Sequence, residues 1–266
     1  MKSGKQYTYP DLKDEITCLF IGNHELYEGY WVESENHILD LMKRHINENI
    51  QSEKISLLDA GCGEGRLTAY FSKYFDHILA IDPDKSRLDT AKEIIQNLGV
   101  SDKVHFNGIP IEELGEREKF DVILCSHIFQ HVHTELIIKI LSKFKRILKE
   151  EGLLFITTCH STKGTDYFVK EFLTNSDFTE EVIDKDRFNS LVFVKNQLPQ
   201  HLFSFKSLEE MLKKSDFDII DYKVFHILEK DLRTSNLSEI DLLINQSPDL
   251  KDKYGRDIFI AATSRR

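Results

Sequence analysis

From about residue 55 to the end of the chain, short apolar runs alternate with longer segments of helical spacing. Strands buried inside a parallel sheet are short continuous apolar runs, and the helices between them repeat apolar residues every three or four positions. The alternation therefore predicts βα units and a parallel sheet. The predicted strands, in chain order, are "ISLLDA", "HILAID", "KVHFN", "FDVILCS", "GLLFITTC", "FDIIDYKVFHIL" and "DIFIAATS".

Four segments between these strands carry helical patterns. "RLTAYFSKYF" follows the first strand, "DKSRLDTAKEIIQNLG" repeats apolar residues at steps of three and four, and residues 133 to 149 place one apolar face toward the sheet. In "SFKSLEEMLKKSDF", Ser207 and Glu210 have the S-x-x-E spacing of a capping box, which predicts that a short helix opens there.

Two stretches do not follow the alternation: residues 1 to 54 and residues 160 to 206. Both are rich in aromatic residues and lack clear periodicity. We expect them to cover the carboxyl edge of the sheet, where open α/β sheets bind ligands. The predicted organisation is an N-terminal helical lid over 1–54 and a catalytic domain over 55–266, with a substrate-covering insertion at 160–206.

Charge and composition narrow the functional classes. The formal net charge of -10 argues against nucleic acid as the partner, because that affinity depends mainly on Lys and Arg neutralising phosphates. Four cysteines lie apart without a CxxC pair, which favours reduced thiols in a cytoplasmic protein. The sequence has neither a signal-type apolar segment at its start nor a run long enough to span a membrane, so we expect no membrane association.

The segment "LLDAGCGEGRLT", residues 57 to 68, is the strongest chemical signal. A glycine-rich turn after the first strand lets backbone approach a ligand closely, but the dinucleotide fingerprint is G-x-G-x-x-G and this turn is G-x-G-x-G. Glu64 inside the turn opposes a pyrophosphate, whereas Asp59 at the strand end can face the ammonium of a methionine group. A second acidic marker, Asp82, ends the second strand, where a carboxylate can accept both hydroxyls of a ribose.

With these residues the chain resembles the class I methyltransferases that use S-adenosylmethionine (SAM), in the broad group that contains the ubiquinone- and menaquinone-biosynthesis and other small-molecule enzymes. The resemblance is carried by "LLDAGCGEGRLT", "LAIDPDKSRLDTAK", "FDVILCSHIFQHV" and "ILKEEGLLFITT". It implies a Rossmann-like, doubly wound α/β fold with a seven-stranded sheet whose last strand is antiparallel. It also implies SAM as cofactor and S-adenosylhomocysteine as product.

The same resemblance implies the cofactor-binding residues. The glycine turn holds the methionine part, Asp82 holds the ribose, and Ser126 borders the methyl group. The family often has an acidic residue for the adenine after the third strand, where this chain has three apolar residues that would contact the ring through backbone and side chain. The full set is Asp59, Gly61, Cys62, Gly63, Gly65, Asp82, Pro83, Ile109, Pro110, Ile111 and Ser126.

His127 and His131 are the catalytic candidates. Methyl transfer from a sulfonium needs mainly proximity and orientation, so a base is required only when the acceptor must lose a proton. Histidine is the side chain best suited to that task near neutral pH. Their spacing of four also suggests a metal pair, but no third ligand accompanies them and no metal site is predicted.

Substrate contacts are expected from the two irregular stretches. Tyr27, Tyr30 and Trp31 resemble the lid of small-molecule methyltransferases, where aromatic rings close over a substrate or attract the sulfonium, although such rings equally pack a helix onto a core. His160 and His201 are weaker candidates, since loop histidines are often only solvated.

The predicted function is transfer of a methyl group from SAM to an oxygen, nitrogen or carbon atom of a small molecule. The acidic chain and aromatic lid favour a closed pocket over a polymer groove. A transfer RNA or protein methyltransferase and a non-catalytic SAM-binding protein stay open as alternatives. A nicotinamide-dependent oxidoreductase is disfavoured by the glycine spacing and by Glu64.

Overall fold

A computed structural model describes residues 28–174, 177–192, 194, 197, 199–227 and 237–265 of the chain. Its centre is a seven-stranded sheet whose strands are β1 (Ser56–Ala60), β2 (His77–Ile81), β3 (Val104–Asn107), β4 (Phe120–Ser126), β5 (Leu148–Cys159), β9 (Phe217–Phe225) and β10 (Asp257–Ser264). Across the sheet they lie in the order β3-β2-β1-β4-β5-β10-β9.

The last strand alone reverses direction within this sheet. β1, β2, β3, β4 and β5 pair in parallel, whereas β10 runs antiparallel to both of its neighbours. This confirms the predicted seven-stranded sheet with an antiparallel last strand. Because β10 is reversed, its first residue, Asp257, pairs with Cys159 at the end of β5 and with Phe225 at the end of β9. The start of β10 therefore lies at the same edge as the ends of the parallel strands.

Helices cover both faces of the sheet. They are α1 (Glu28–Asn49), α2 (Arg66–Phe71), α3 (Lys85–Asn97), α4 (Thr134–Ile147), α5 (Lys185–Leu191), α6 (Phe205–Lys214), α7 (Leu237–Gln246) and α8 (Pro248–Lys251). Short 3-10 turns follow β3 at Ile111–Glu113 and β4 at Phe129–His131. None of the described helices is long and apolar enough to cross a lipid bilayer.

The alternation of side chains along β4 divides the core in two. Val122 and Leu124 face a cluster built with α1, α2 and α3, while Ile123 and Cys125 face a cluster built with α4 and α6. The result is a three-layer arrangement in which the strands are buried on both sides. This is why the strand segments are almost continuously apolar in the sequence.

Two local predictions were wrong in detail. The strand predicted to follow Gly152 begins earlier, at Leu148, because residues 148 to 151 extend the ladder with β4 across a bulge in which Glu151 has a φ of 62°. Helix α6 does not open at Ser207. Ser204 is its N-cap and accepts a hydrogen bond from the Ser207 amide at 3.3 Å, so the helix begins at Phe205.

The insertion at 160–206 contains a second, three-stranded antiparallel sheet. β6 (Tyr167–Thr174) lies between β7 (Asp177–Ile183) and β8 (Pro199–Leu202). It joins the main sheet at its carboxyl edge, where His160 bridges to Phe203 and the Ser161 amide donates to the Phe203 carbonyl at 2.8 Å. Strand β8 also reaches the turn after β4, since the Pro199 carbonyl and His131 Nδ1 are 3.1 Å apart.

Candidate functional site

The glycine turn after β1 is held in a shape that only glycine adopts readily. Gly61, Gly63 and Gly65 all have positive φ angles, of 81°, 53° and 78°. The amides of Gly61 and Cys62 both donate to the Ile81 carbonyl at the end of β2. A side chain at position 61 would collide with the end of the Ile128 side chain. The turn is thus fixed between two neighbouring strand ends.

Asp82 fastens this turn to the second strand. Its Oδ2 accepts from the Gly63 amide at 2.9 Å, and its Oδ1 accepts from the Asp84 amide at 2.8 Å. Burial raises the pKa of Asp82, and the two amide hydrogen bonds oppose that rise. The carboxylate is therefore oriented by the backbone, which leaves a lone pair on each oxygen for donors such as vicinal hydroxyls.

Asp59 is buried beneath the turn. Thr68 on α2 donates its hydroxyl to Asp59 Oδ2 at 2.6 Å. Burial raises the pKa of Asp59 to about 6, the Thr68 hydrogen bond lowers it, and the negative charge of Asp82 raises it further. Two neighbouring buried carboxylates make this site negative, although the positive charges of Arg66 and Arg87 lower the pKa values of Asp59 and Asp82, respectively. Such a site suits a cationic group.

An open cleft begins at this turn and runs along the carboxyl edge of the sheet. It contains six of the residues predicted from the sequence, together with the acidic Glu112 and several apolar side chains from the segments after β3 and β4. Its lining residues are Gly61, Asp82, Pro83, Asp84, Pro110, Ile111, Glu112, Ile128, His131, Val132, Leu136 and Ile140. Cys62 is half-buried in the turn itself, and Ile109 packs against the main core beside the cleft.

His127 and a buried polar cluster lie where β4, β5 and β10 meet. His127 follows β4 with a φ of 54°, an unfavourable backbone conformation for a residue with a side chain, and a third of its side chain is exposed. Its Nδ1 lies 3.2 Å from Gln130 Nε2 and 4.0 Å from Asp257 Oδ1. Burial lowers the pKa of His127, while the Asp257 carboxylate raises it.

Asp257 is the acidic centre of this cluster. Its Oδ2 lies 2.6 Å from His226 Nδ1, and His226, like His127, has a left-handed backbone with a φ of 54°. Burial raises the pKa of Asp257, but the hydrogen bond with His226 and the positive charge of Arg256 oppose it, and the pKa lies below its usual value. The carboxylate is thus ionised near neutral pH although it is 2% exposed.

Other predicted residues fall outside the cleft lining. Ser126 Oγ bonds Thr157 Oγ1 at 2.8 Å. His160 is buried with Nδ1 3.0 Å from the Gly255 carbonyl. His201 lies in the insertion between Phe168 and Phe203, with Nε2 2.8 Å from Asp166 Oδ2. Burial lowers the pKa of both His160 and His201, so each serves here as a neutral hydrogen-bonding group.

The remaining predictions concern the N-terminal aromatics. Tyr27 lies outside the described residues, and Tyr30 and Trp31 lie near the start of α1. The later part of α1 packs through Ile38, Met42 and Ile46 against the sheet. The roles assigned to the three aromatic residues stay predictions.

His131 has a defined place in the cleft wall. Its Nδ1 donates to the Pro199 carbonyl of β8, and burial lowers its pKa to about 4, so the ring is neutral near pH 7. The hydrogen bond joins the turn after β4 to the insertion. His131 thus links the cleft wall to the insertion.

Sequence reasoning missed Gln130, His226 and Asp257. Asp257 opens a strand, and a residue at a strand start normally lies far from a ligand at the carboxyl edge. Because the last strand is antiparallel, its first residue lies at the carboxyl edge instead. The predicted antiparallel last strand was therefore the signal that could have identified Asp257. Glu112 was also missed, because two adjacent acidic residues, Glu112 and Glu113, are typical of a solvent-exposed helix end.

Three possible metal ligands come together in this region. Among the described residues, His127, Cys159 and Asp257 offer ligand atoms within 4.8 Å of one another. Each has a hydrogen-bonding partner instead: Gln130 contacts His127, and Cys159 Sγ donates to Gln200 Oε1 at 3.1 Å, while His226 bonds Asp257. The group is arranged as a hydrogen-bonded network.

The sheet order, the antiparallel last strand and the glycine turn with two acidic anchors define a Rossmann-like methyltransferase. The chain belongs to the methyltransferase domain family, whose pattern matches residues 34–222. It is a class I SAM-dependent methyltransferase.

Known proteins similar to this chain agree with that class. A ubiquinone biosynthesis O-methyltransferase of Rickettsia typhi is 25% identical over 202 residues, covering 75% of this chain and 74% of that protein. The corresponding protein of Rhodopseudomonas palustris is 28% identical over 125 residues, covering 46% of this chain and 48% of that protein.

Solved structures show the same fold at low identity. A SAM-dependent methyltransferase from Clostridium acetobutylicum aligns with a TM-score of 0.60 at 16% identity, covering 85% of this chain and 90% of that one. The 1,6-didemethyltoxoflavin-N1-methyltransferase of Burkholderia thailandensis, solved with its acceptor and S-adenosylhomocysteine, aligns with a TM-score of 0.58 at 16% identity, covering 100% and 98%.

The residues of the turn fit SAM. Gly61 leaves backbone bare beside the cleft, Asp82 presents an oriented carboxylate, and the Oε1 atom of Glu64 is buried without a hydrogen-bond partner among the described residues. A ligand with an ammonium, a sulfonium and a ribose supplies donors and positive charge where this site holds unmatched acceptors. A dinucleotide pyrophosphate would add negative charge to the same place.

Proposed function

We propose that this methyltransferase acts on a small molecule that enters the cleft between the glycine turn and the insertion. The observation that supports the proposal is the hydrogen bond between the Pro199 carbonyl of β8 and His131 in the cleft wall, which brings the insertion next to the cleft. If the insertion covers the cleft from this side, the site suits a compact acceptor better than a long polymer.

Binding of the cofactor is assigned to the residues around the glycine turn. Asp82 would accept the ribose hydroxyls, and Asp59 and Glu64 would face the positively charged methionine part. Pro83, Pro110 and Ile111 would contact the adenine, with Ile109 supporting them from the core. Gly63, Gly65, Cys62 and Ser126 would act by shaping the turn and the adjoining strand end.

The chain's own task is to place and desolvate the acceptor. When bound, SAM supplies an electrophilic methyl carbon on a sulfonium. The apolar cleft walls at Ile128, Val132 and Leu136 would exclude water. His127, which precedes Ile128 and is one-third exposed, would offer a polar contact at the strand end. The similar ubiquinone biosynthesis enzymes are O-methyltransferases, which supports oxygen as the atom that is methylated.

The insertion at 160–206 and the N-terminal segment 1–54 are proposed to be the covers of this cleft. The contact of β8 with the turn after β4 supports this role for the insertion. For the N-terminal segment, Glu35 on α1 pairs with Arg66, the residue that opens α2 directly after the glycine turn.

Calorimetric titration with S-adenosylhomocysteine tests the cofactor site before any acceptor is known. We expect saturable binding of this compound and none of NAD. Asp82→Ala should weaken the binding by about tenfold or more, because a hydrogen bond to a charged group contributes about 1.5–3 kcal/mol. Asp89→Ala, on the exposed face of α3, is the matched control and should bind as the parent does.

The acceptor class is tested by incubating the enzyme with radiolabelled SAM and a cell extract separated into small molecules, RNA and protein. Label in the small-molecule fraction is expected. Label confined to RNA or protein would overturn the proposed acceptor class, and absence of transfer by a protein that binds S-adenosylhomocysteine would favour a non-catalytic binding role.

A further inference from the structure

Gln130 has a fixed amide orientation. This side chain is buried in the turn after β4, where its Oε1 accepts from the Thr158 hydroxyl at 3.0 Å and from the Cys159 backbone amide at 3.3 Å. A backbone amide can only donate, so the oxygen of the Gln130 amide must face β5. The nitrogen, Nε2, therefore points the other way.

This orientation determines where His127 carries its proton. Gln130 Nε2 lies 3.2 Å from His127 Nδ1, and an amide nitrogen can only donate. Nδ1 must then accept, and in the neutral ring the proton is on Nε2. The other acceptor near Nδ1 is Asp257 Oδ1, which at 4.0 Å is beyond hydrogen-bond distance.

The surroundings of His127 favour the neutral ring. The charged groups that act on it most are Asp257 of β10, His226 after β9, Arg256 before β10 and Arg66 of α2. The Cys159 sulfur of β5 lies within 4.8 Å of a ring nitrogen, and the neutral His131 interacts with the ring as well. Asp257 alone among them favours the imidazolium, and its Oδ2 is engaged with His226 at 2.6 Å. Burial, His226 and the two arginines lower the pKa of His127 and so favour the neutral ring.

We propose that Gln130 is a positioning residue that holds His127 as an Nε2–H donor, so that His127 donates a hydrogen bond to the acceptor and does not remove its proton. The inference rests on the proposed function at this site. It selects acceptors whose reacting oxygen is already anionic, namely phenolates, enolates or carboxylates of small molecules.

The transfer step balances without a protein base. The acceptor oxyanion forms the new oxygen–carbon bond as the carbon–sulfur bond breaks, and the electron pair of that bond stays on sulfur. No proton is released, and the negative charge of the acceptor cancels the positive charge of the sulfonium. The N–H group at Nε2 of His127 orients the oxyanion, and the imidazole ring of His127 stays neutral throughout the transfer.

The tautomer can be measured without a substrate. In protein labelled with ¹⁵N at histidine, long-range proton–nitrogen correlation NMR at pH 7.5 distinguishes a protonated Nε2 from a protonated Nδ1, and the His127→Gln variant assigns the signals. We expect Nε2–H for His127, unchanged by a metal chelator. A protonated Nδ1, or a spectrum that changes on chelation, would overturn the proposal.

Replacing Gln130 tests its role. In Gln130→Glu the carboxylate still accepts from Thr158 and Cys159, and its second oxygen can accept from Nδ1, so the tautomer should reverse to Nδ1–H. Gln96→Glu, on the exposed side of α3, is the control and should leave the His127 signals in place. A reversed tautomer in the control, or an unchanged one in a folded Gln130→Glu protein, contradicts the assignment. The wild-type spectrum decides the matter if Gln130→Glu does not fold.

Kinetics with an identified acceptor add a second readout. The rate should follow the ionisation of the acceptor's hydroxyl, and His127→Leu should raise KM about tenfold through loss of a hydrogen bond to a charged group. His127→Gln, which keeps an N–H donor, should raise KM less. If the two variants lose kcat equally and the pH profile follows a protein group, His127 acts as a base. S-adenosylhomocysteine binding, measured separately, shows whether the cofactor site itself is intact.

Discussion

Single residues at the carboxyl edge of the sheet are placed for binding at the expense of stability. Asp59 is ionised in a buried position where desolvation raises its pKa to about 6, and Thr68 compensates only in part. His127 and His226 hold backbone conformations that cost a residue with a side chain about 1–3 kcal/mol. Glu151 and Asp216 also have positive φ angles, near the starts of β5 and β9, so such strain occurs at both edges of the sheet.

Asp59→Asn is therefore expected to stabilise the protein while it weakens cofactor binding. A folded-state pKa above the unfolded value means that stability falls as pH rises from about 4 through about 6. Removing the charge should make the variant about 1–3 kcal/mol more stable at pH 7, and the gain should vanish below pH 4. Urea unfolding at the two pH values measures it, with Asp89→Asn as an exposed control. A less stable variant at pH 7 would contradict the expectation.

At the scale of elements, the glycine turn also sets how closely α2 and α3 pack. A Cβ on Gly65 would lie 2.8 Å from the Cβ of Ala91 and 3.2 Å from its Cα, both on α3. A Cβ on Gly63 would meet only the end of the Arg87 side chain, at 3.3 Å. The two glycines share a left-handed backbone but differ in what surrounds them.

Gly65→Ala should accordingly destabilise the fold more than Gly63→Ala. Both variants incur the left-handed backbone cost of about 1–2 kcal/mol. Only Gly65→Ala also forces two helices apart, which adds about 1–3 kcal/mol. Chemical denaturation of both variants gives the difference, and Gly65→Ala combined with Ala91→Gly should recover part of it. Equal destabilisation of the two single variants would show that α3 accommodates the added methyl group at position 65 without cost, and would contradict the expectation.

At the scale of the whole molecule, Asp257 ties together segments that are distant in the sequence. It opens β10, contacts His226 at the exit of β9 and faces His127 at the exit of β4. The His226 amide in turn donates to Ser34 on α1 at 3.1 Å. The buried Asp257 carboxylate and its partners thus connect β10, the ends of β4 and β9, and helix α1 at the carboxyl edge of the sheet.

Asp257→Asn should destabilise the protein in a pH-dependent way. The folded-state pKa of about 2 is below the unfolded value, so the carboxylate contributes stability that is complete above about pH 4 and is lost as pH falls through 2. We expect the variant to be about 1–3 kcal/mol less stable at pH 7 and closer to the parent at pH 3. Thermal or urea unfolding at both values checks this, and a difference that grows toward pH 3 would contradict it.

The main sheet, the family resemblance and the glycine turn could be predicted from the sequence. The apolar runs of β1, β4 and β5 must be buried on both faces, and the turn after β1 requires glycines. Each of these requirements acts on a short segment, so it is visible in the local sequence. The start of α6 was misplaced by three residues, because Ser204 and Ser207 are both good caps and only the chain's entry from β8 selects between them.

The polar residues that meet at the carboxyl edge of the sheet could not be identified without the folded structure. Gln130, His226 and Asp257 are separated by up to 127 positions between the first and the last, and they come together because β10 runs against its neighbours. The small sheet of the insertion likewise depends on pairing between β6 and β8, whose strands have no clear alternation of their own. Contacts between distant strands depend on register and direction, which no local pattern encodes.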